Sequence, residues 1–519
     1  MPESTLTRPA HPRGATPAEV AAQVPGVTLA GADAAAVRLT GATVRAQEAR
    51  PGDLFCAVPG TATHGARFAA GAIEAGAVAV LTDADGAALL AEDGHDVPVL
   101  LHEDPRRVLG PVAAVVYGAP SARMTLVGIT GTSGKTTTSY LVEAALAAGG
   151  NPTGLIGTVG TRIAGVDVPT TLTTPEGSAL QGLFASMVER GVTAAVMEVS
   201  SHALAQNRTG GTRFAVGAFT NLSQDHLDYH PTMEDYFAAK SLLFLGPEAC
   251  ERAVICVDDE WGLRMAELRR AAGLPLVTVA TTGPADWTAG EVAAYSDGTQ
   301  RFTLSGPDGQ TFSAVVGLPG AYNVANAALA LVIAHEAGVP LADAARGIGA
   351  VAVPGRVQRI DRGQDFLAVV DYAHKPAALD AVIATLRGQT AGRIAVVVGA
   401  GGDRDRGKRP LMGEAAASAA ELVIVTDDNP RTEDPAAIRA AVVAGARAVP
   451  AGGEVREIGD RRAAIAEAVN WARTGDVVLV AGKGHEAGQE INGVKHPFDD
   501  RDELAAALES RQAAGEAGA

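Results

Sequence analysis

The sequence predicts an α/β protein of three domains, the central one built on a mainly parallel sheet around a phosphate-binding loop. Three observations carry that prediction. Short apolar runs alternate with helical stretches along most of the 519 residues, the pattern of strands joined by crossover helices. Several of those runs end at once in glycine-bearing polar strings, where parallel sheets bind ligands. Finally, Thr125–Thr138 reads T-L-V-G-I-T-G-T-S-G-K-T-T-T.

In that stretch the apolar run Leu126–Ile129 enters a glycine-punctuated loop, and the spacing of Leu141, Val142, Ala145 and Leu146 predicts a following helix. Strand, loop and helix N-terminus make an anion cradle. Backbone N–H groups point at the phosphate, Lys135 supplies a cation and the Thr136 hydroxyl suits magnesium. Ile129 stands where the standard loop has its first glycine, leaving G-x-x-G-K-T. A plain Gly/Thr turn is the alternative, and the flanking strand and helix patterns disfavour it.

Length sets the expectation of about three domains. Apolar residues make up 47% of the chain, enough for several cores, while aromatics are only 4%, so close helix–strand contacts should dominate. A formal charge of −17 argues against a nucleic-acid or anionic-membrane binder. Cys56, Cys250 and Cys256 show neither metal-ligand nor paired spacing, which fits reduced cytosolic thiols. The N-terminal stretch has no apolar core of a signal peptide and reads as a flexible tail over 1–25. No apolar run is long enough for a membrane helix. A cytoplasmic protein is expected.

Residues 26–121 read as a small α/β domain, with strands at Leu54–Val58, Val78–Leu81 and Val97–Leu101 and a helix near Phe68–Ala75. They show no catalytic constellation. The central domain, 122–353, continues with strands at Val192–Val199, Phe214–Thr220, Arg252–Val257 and Leu276–Ala280. Alternation broken by S-D-G and P-D-G between Glu291 and Val316 predicts antiparallel hairpins, and Gly320–Gly338 a helix carrying Asn323 and Asn326. After the hinge candidate Val353–Arg356, domain 354–519 offers strands at Phe366–Val370, Arg393–Val398, Leu422–Thr426 and Val477–Val480. Each is followed by a polar string: D-Y-A-H-K-P, G-A-G-G-D-R-D-R-G-K-R-P, D-D-N-P-R-T-E-D-P and A-G-K-G-H-E. Four such strings on one rim predict a second binding surface.

Glu198, at the end of a strand beside the phosphate loop, suits magnesium directly or through water; the alternative is a surface carboxylate. His226, Asp228 and His230 fall within five positions. That density allows a zinc site, but it lacks a cysteine or an H-E-x-x-H frame, so a magnesium and phosphate role agrees better with Lys135, Thr136 and Glu198. Pattern alone gives no reason to select Lys240, which reads as an ordinary helix lysine.

Taken together, T-G-T-S-G-K-T-T, L-T-T-P, M-E-V-S-S-H-A-L, T-N-L-S-Q-D-H-L-D-Y-H, Y-F-A-A-K, Y-N-V-A-N, P-G-R-V, D-Y-A-H-K-P, G-G-D-R-D-R-G-K-R-P, D-N-P-R and G-K-G-H-E occur in order. The chain, over about residues 26 to 505, resembles the Mur ligase family of peptidoglycan synthesis, nearest its diaminopimelate-adding branch of actinobacterial type. The resemblance implies a UDP-sugar-binding N-terminal domain, a central P-loop ATPase domain and a Rossmann-like C-terminal domain that binds the amino acid and closes over the substrate. It also implies a reaction: ATP phosphorylates the D-glutamate carboxylate of a UDP-N-acetylmuramoyl-dipeptide, and the amine of meso-diaminopimelate displaces phosphate. Two magnesium ions and a monomer are expected from the same source.

Residue roles follow from the motifs as implications of the resemblance. Gly131, Thr132, Ser133, Gly134, Lys135, Thr136 and Thr137 would form the ATP phosphate loop, with Lys135 on the β- and γ-phosphates and Thr136 on magnesium. Glu198 and His226 match metal-site positions, and Lys240 sits where the family carries a carbamylated lysine (N6-carboxylysine), an anion that helps hold a second metal. Asn323, Asn326, Arg356 and Asp371 match positions around the nucleotide, Asp371 being suited to ribose hydroxyls. Thr173, Thr174, Ser200, Gln206 and Arg208 fall where the muramoyl-dipeptide is held.

The amino-acid choice rests on D-N-P-R. Diaminopimelate is lysine with an added carboxylate, which a guanidinium grips bidentately. Arg431 with Arg404, Asp428, Asn429, Pro430, Gly482 and Glu486 would form that pocket, the acids taking the distal ammonium. One departure stands out: Arg45-Ala46-Gln47 replaces the Asp-Ser-Arg that many relatives set against the UDP-sugar. The competing readings are a lysine-adding member, a folylpolyglutamate synthase, which should lack D-N-P-R and G-K-G-H-E, and a nucleotide-binding protein that has lost catalysis.

Overall fold

The computed structural model describes residues 6–31, 37–60, 62–168, 170, 172–295, 298–349 and 351–517. They form an α/β chain with three principal sheets. Contacts divide it into two compact units, Met1–Gly290 with Thr303–Phe312 and Ala325–Ile348, and Glu291–Phe302 with Ser313–Val324 and Gly349–Ala519.

In the first unit a five-stranded sheet runs in the order Thr28–Ala30, Val99–Leu101, Ala79–Thr82, Asp53–Cys56, Gly41–Thr43, parallel except for its first pair. Alternation along one strand explains its two cores. Leu54 and Cys56 join the cluster containing helix Pro105–Tyr117, while Phe55 joins helix Ala69–Glu74 and Leu90 on the opposite face. The expected tail is otherwise than predicted over residues 6–25; residues 1–5 lie outside the described set. Pro17–Gln23 is a helix with a Thr16/Glu19 capping box. Ahead of it, Arg8 reaches both oxygens of Asp53 at 2.9 and 2.6 Å. The Ala10 and His11 amides donate to Glu189. The polar side chains that hold this segment lie far along the chain, at Asp53 and Glu189.

The same unit carries most of the larger sheet. Strand Thr125–Thr130 lies between Ala194–Glu198 and Val216–Phe219, parallel to both, with Glu198 level with Ile129 and Phe219 level with Thr130. Thr153–Ile156 extends one side, and Arg252–Cys256 then Leu276–Ala280 the other, all parallel. Beyond Thr153–Ile156 come the short antiparallel strands Thr161–Ile163 and Val166–Val168; none of these three is among the strands expected from the sequence. The region expected to hold hairpins contains strands Trp287–Ala294, Gln300–Ser305 and Thr311–Val316, neighbours in sheet order. The expected helix follows as Ala321–Glu336.

The second unit has the order Gln358–Arg359, Leu367–Asp371, Val477–Ala481, Ile394–Val398, Leu422–Val425, Glu454–Glu457, antiparallel only at the first pair. Its four central strands are almost wholly apolar because helices cover both faces, whereas the edge strands Gln358–Arg359 and Glu454–Glu457 are polar. Val396, Val398, Val423 and Leu479 face one cluster, whereas Ala395, Val397, Ile424 and Val480 face the other. The polar strings therefore all leave the sheet at strand carboxyl ends.

Candidate active site

The phosphate loop is shaped by two glycines and held by its neighbour strand. Gly131 has φ +148° and Gly134 φ +85°. A Cβ at Gly131 would stand 1.8 Å from the Thr220 hydroxyl, and one at Gly134 2.5 Å from Asn326 Oδ1. Helix Lys135–Ala148 starts directly after Gly134, so its first N–H groups face the loop. The segment after strand Val216–Phe219 fixes the loop's outer side: Ser133 N donates to Asn221 Oδ1 at 3.0 Å, and Thr220 Oγ1 and Asn221 Nδ2 donate to Ser133 O at 2.7 and 3.1 Å. Thr132 Oγ1 accepts from Ser223 N at 3.0 Å. Asn326 comes to the loop from its own helix, accepting from Thr138 Oγ1 at 3.3 Å. Lys135 folds back, its Nζ donating to Gly131 O at 2.9 Å and Thr132 O at 3.2 Å.

Lys240 converges on the same carbonyl. It is buried, donates to Gly131 O at 2.8 Å and lies 4.4 Å from the centre of the Tyr236 ring. A helix lysine that looked unremarkable in sequence thus ends beneath the phosphate loop. Burial pushes the Tyr236 phenol well above its ordinary range, so that ring stays neutral.

Glu198 is buried at its strand end. Thr158 donates to both carboxylate oxygens, from N at 2.9 Å and from Oγ1 at 3.0 Å. Thr158 Oγ1 lies 3.1 Å from Thr173 Oγ1. Thr174 Oγ1 donates to the Glu198 carbonyl at 2.9 Å and accepts from Ser200 N at 3.1 Å, and Ser200 caps helix Ser201–Ala205. Arg208 continues the chain of contacts, donating to Gln206 Oε1 at 2.8 Å and to Thr174 O at 3.1 Å, beside Glu176 at 3.2 Å. The five residues expected around the dipeptide therefore lie in one network that includes the metal-site candidate Glu198. Thr158 had no signal beyond its place after a strand.

The histidine-rich segment folds over helix Ser201–Ala205. His226 has φ +53° and lies 3.2 Å from Asp225; its ring is 4.9 Å from that of His202. His230 is buried, bonded to Ser201 Oγ at 3.0 Å and 5.1 Å from the Tyr236 ring. Burial lowers the pKa of His202 and His230, the latter helped by His202 itself. Among the described residues no group of three or more His, Cys, Asp and Glu is placed to hold a metal, so the zinc alternative for this segment gains no support. Magnesium is different, because it takes most of its ligands from phosphate and water. The Thr136 hydroxyl residue at the helix start and the carboxylate Glu198, together with glycines that leave no room for a Cβ, suit a phosphate-bound magnesium ion.

In the second unit the nucleotide candidates Arg356 and Asp371 lie together. Asp371 accepts from Val357 N at 2.7 Å and Ala373 N at 2.8 Å, and Arg356 stacks 4.7 Å from the centre of the Tyr372 ring. Burial raises the Asp371 carboxyl above its usual range, against the pull of Arg356. Asn323 donates to Pro319 O at 2.7 Å.

The D-N-P-R turn sits against G-K-G-H-E. Asn429 Nδ2 donates to Glu486 Oε2 at 2.9 Å, and a Cβ on Gly482 would lie 3.0 Å from Asp428 Oδ2. Arg431, at φ +50°, donates to Gly402 O at 2.8 Å and pairs with Glu490 at 3.2 Å. Arg404 is on the adjoining G-A-G-G-D-R turn, and a Cβ on Gly401 would lie 3.1 Å from Arg431 and 3.8 Å from Arg404. Lys483, which the sequence reading passed over, is wholly buried among these groups.

Comparison with known proteins gives these sites a family. Family models match residues 129–334 as the Mur ligase middle domain, 355–484 as the Mur ligase glutamate ligase domain and 38–117 as the Mur ligase family catalytic domain. A Corynebacterium efficiens protein named UDP-N-acetylmuramoyl-L-alanyl-D-glutamate–2,6-diaminopimelate ligase is 57% identical over 475 residues, 90% of each chain. One of the same name from Streptomyces coelicolor is 48% identical over 518 residues, 98% of this chain and 100% of its own. A solved structure under that name superposes with a TM-score of 0.68 at 33% identity, covering 96% of this chain and 99% of its own. A folylpolyglutamate synthase from Mycobacterium tuberculosis shares the fold alone, at 20% identity over 72% of this chain and 92% of its own, with a TM-score of 0.59. On these matches, which run nearly end to end, the chain belongs to the Mur ligase family.

Proposed function

We propose that the chain is an ATP-dependent amide ligase that adds meso-2,6-diaminopimelate to the D-glutamate of UDP-N-acetylmuramoyl-L-alanyl-D-glutamate during peptidoglycan synthesis. The observation that carries the reading is the second unit's cluster, where the D-N-P-R turn meets G-K-G-H-E through the Asn429–Glu486 hydrogen bond, Asp428 lies against Gly482, and Arg431 is held at Gly402 O beside Glu490. Such a set takes a carboxylate and an ammonium on one substrate end, which is what separates diaminopimelate from lysine. Kinship with relatives named for this reaction agrees with it. Cys56, Cys250 and Cys256 are free and buried, as a reducing compartment would leave them, and among the described residues no helix is long and apolar enough to cross a membrane.

The chemistry assigns work to each group. A carboxylate is a poor electrophile, so the γ-phosphoryl group of ATP passes to a D-glutamate carboxylate oxygen and ADP departs. The diaminopimelate amine then attacks the acyl carbon, loses a proton and expels phosphate as the amide forms. The loop amides and Lys135 hold the phosphates, and Arg208, Thr173, Thr174, Ser200 and Gln206 orient the dipeptide. Thr136, Glu198 and His226 would hold magnesium, which supplies charge neutralisation for phosphoryl transfer. Lys240, as a carbamate, would turn from a donor to Gly131 O into an anion suited to a second metal. Arg356, Asp371, Asn323 and Asn326 serve the nucleotide.

Phosphate release from ATP with the UDP-muramoyl-dipeptide, measured with diaminopimelate, with lysine and with neither, tests the reading. Release with diaminopimelate alone is expected. Equal use of lysine would reassign the specificity, and no release in any arm would leave a binding protein. Intact-mass analysis, with and without bicarbonate, checks Lys240; indifference to bicarbonate with no added mass removes the carbamate.

A further inference from the structure

Lys483 has no assigned role, yet it is among the most enclosed charged groups in the second unit, with a side chain of 0% exposure. Strand Val477–Ala481 delivers it, and Gly482 at φ +117° and Gly484 at φ +55° turn the chain on either side. Its Nζ lies 3.0 Å from Asn429 Oδ1, 3.3 Å from Glu486 Oε2 and 3.5 Å from Asp428 Oδ1. We propose that Lys483 is the positioning residue of the amino-acid pocket, setting both its geometry and its net charge; this deepens the diaminopimelate reading and rests on it.

The geometric part concerns Asn429. Its Oδ1 accepts from Lys483 and from Glu490 N at 3.0 Å, which turns its Nδ2 toward Glu486 at 2.9 Å. Without the lysine, one of the two donors that fix the amide's orientation is gone. The charge part concerns the two acids. A distal amino-acid centre brings one ammonium and one carboxylate, and the arginines answer the carboxylate. Asp428 and Glu486 alone would present two negative charges to a single ammonium. With Lys483 between them the acids present one, which matches.

Other charged and titratable groups around the cluster are Arg461, His374, Tyr372 and His485. Tyr372 Oη donates to Glu486 at 3.4 Å and its ring is 5.0 Å from that of His485, and Arg461 and His374 act on Asp428. Burial works to raise the Asp428 carboxyl, but Lys483 first, then Arg461 and His374, outweigh it and hold the carboxyl below its ordinary value. Asp428 is therefore protonated at lower pH than an ordinary aspartate. Removing the Lys483 ammonium takes away the largest of the lowering influences and moves that protonation toward higher pH.

The test is steady-state kinetics on full-length Lys483→Gln and Lys483→Met against each of the three substrates, across pH. Lys483→Gln keeps a donor for Asn429 and serves where Lys483→Met fails to fold. The expected result is a KM for diaminopimelate raised about tenfold or more, with those for ATP and the UDP-dipeptide held within about twofold. The acid limb of kcat/KM for diaminopimelate should move up by about one pH unit. An unchanged diaminopimelate KM, a joint rise in all three KM values, or an acid limb left in place would overturn the role. Failure of the wild-type enzyme to use diaminopimelate would instead sink the functional reading itself.

Discussion

At the residue scale, the proposed site is made of charges whose partners are settled within the fold. Arg431 is paired with Glu490 and tied to Gly402 O, so its guanidinium is held in place. Arg431→Ala should lose most of the preference for diaminopimelate over lysine, about 2 kcal/mol or more of discrimination for a charge-assisted contact. The ratio of kcat/KM for the two amino acids measures it, and an unaltered ratio would remove Arg431 from the pocket. Lys240 illustrates the limit of residue-by-residue reading. Its local sequence is that of an ordinary helix, and only the fold brings its Nζ to Gly131 O.

At the element scale, the strand–loop–helix unit works because its glycines occupy backbone and space that other residues cannot share. Gly134→Ala would place a methyl 2.5 Å from Asn326 Oδ1 at φ +85°, adding roughly 1–2 kcal/mol of left-handed strain. The KM for ATP should rise about tenfold or more, while circular dichroism stays near wild type; normal ATP use would show that the loop tolerates the change. A second element contact supports the amino-acid rim. Arg461, which begins helix Arg461–Trp471, pairs with Asp500 of the last helix at 2.7 Å, both side chains having 0% exposure. Arg461 also donates to Ala481 O at 3.0 Å, just before Gly482 and Lys483. Asp500→Ala strands that guanidinium and should cost about 3–5 kcal/mol in urea unfolding. A loss below about 1 kcal/mol would show that solvent reaches the pair.

At the scale of the whole molecule, the N-terminal segment ties distant parts of the first unit together. Arg8 answers the buried Asp53, and the amides of Ala10 and His11 answer Glu189. Arg8→Ala takes the two Arg8 hydrogen bonds from the Asp53 carboxylate and leaves the Arg50 amide, a loss of about 1–3 kcal/mol to be read as a lower melting temperature. An unshifted transition would return the segment to the status of a loose tail. Sequence patterns located the central buried strands of all three sheets, because β-branched and apolar runs buried on two faces have few other places to go, but not short or peripheral ones such as Thr28–Ala30, Gly41–Thr43, Thr153–Ile156 and Glu454–Glu457. Val166–Val168 was missed because two of its three residues are exposed. The pairing of residues 6–14 was missed because polar side chains do not announce their partners.

By itself the sequence determined the α/β class, the phosphate loop, the placing of polar strings at strand ends and, through ordered motifs, kinship with the Mur ligases. Those properties are written in local periodicity, glycine spacing and residue type. Only the tertiary structure decided that Lys240 shares a carbonyl with Lys135, that Thr158 grips Glu198, and that Lys483 lies between Asp428 and Glu486. The physical reason is that a buried charge takes its properties from groups within a few ångströms, and strand pairing, not chain order, chooses which groups those are.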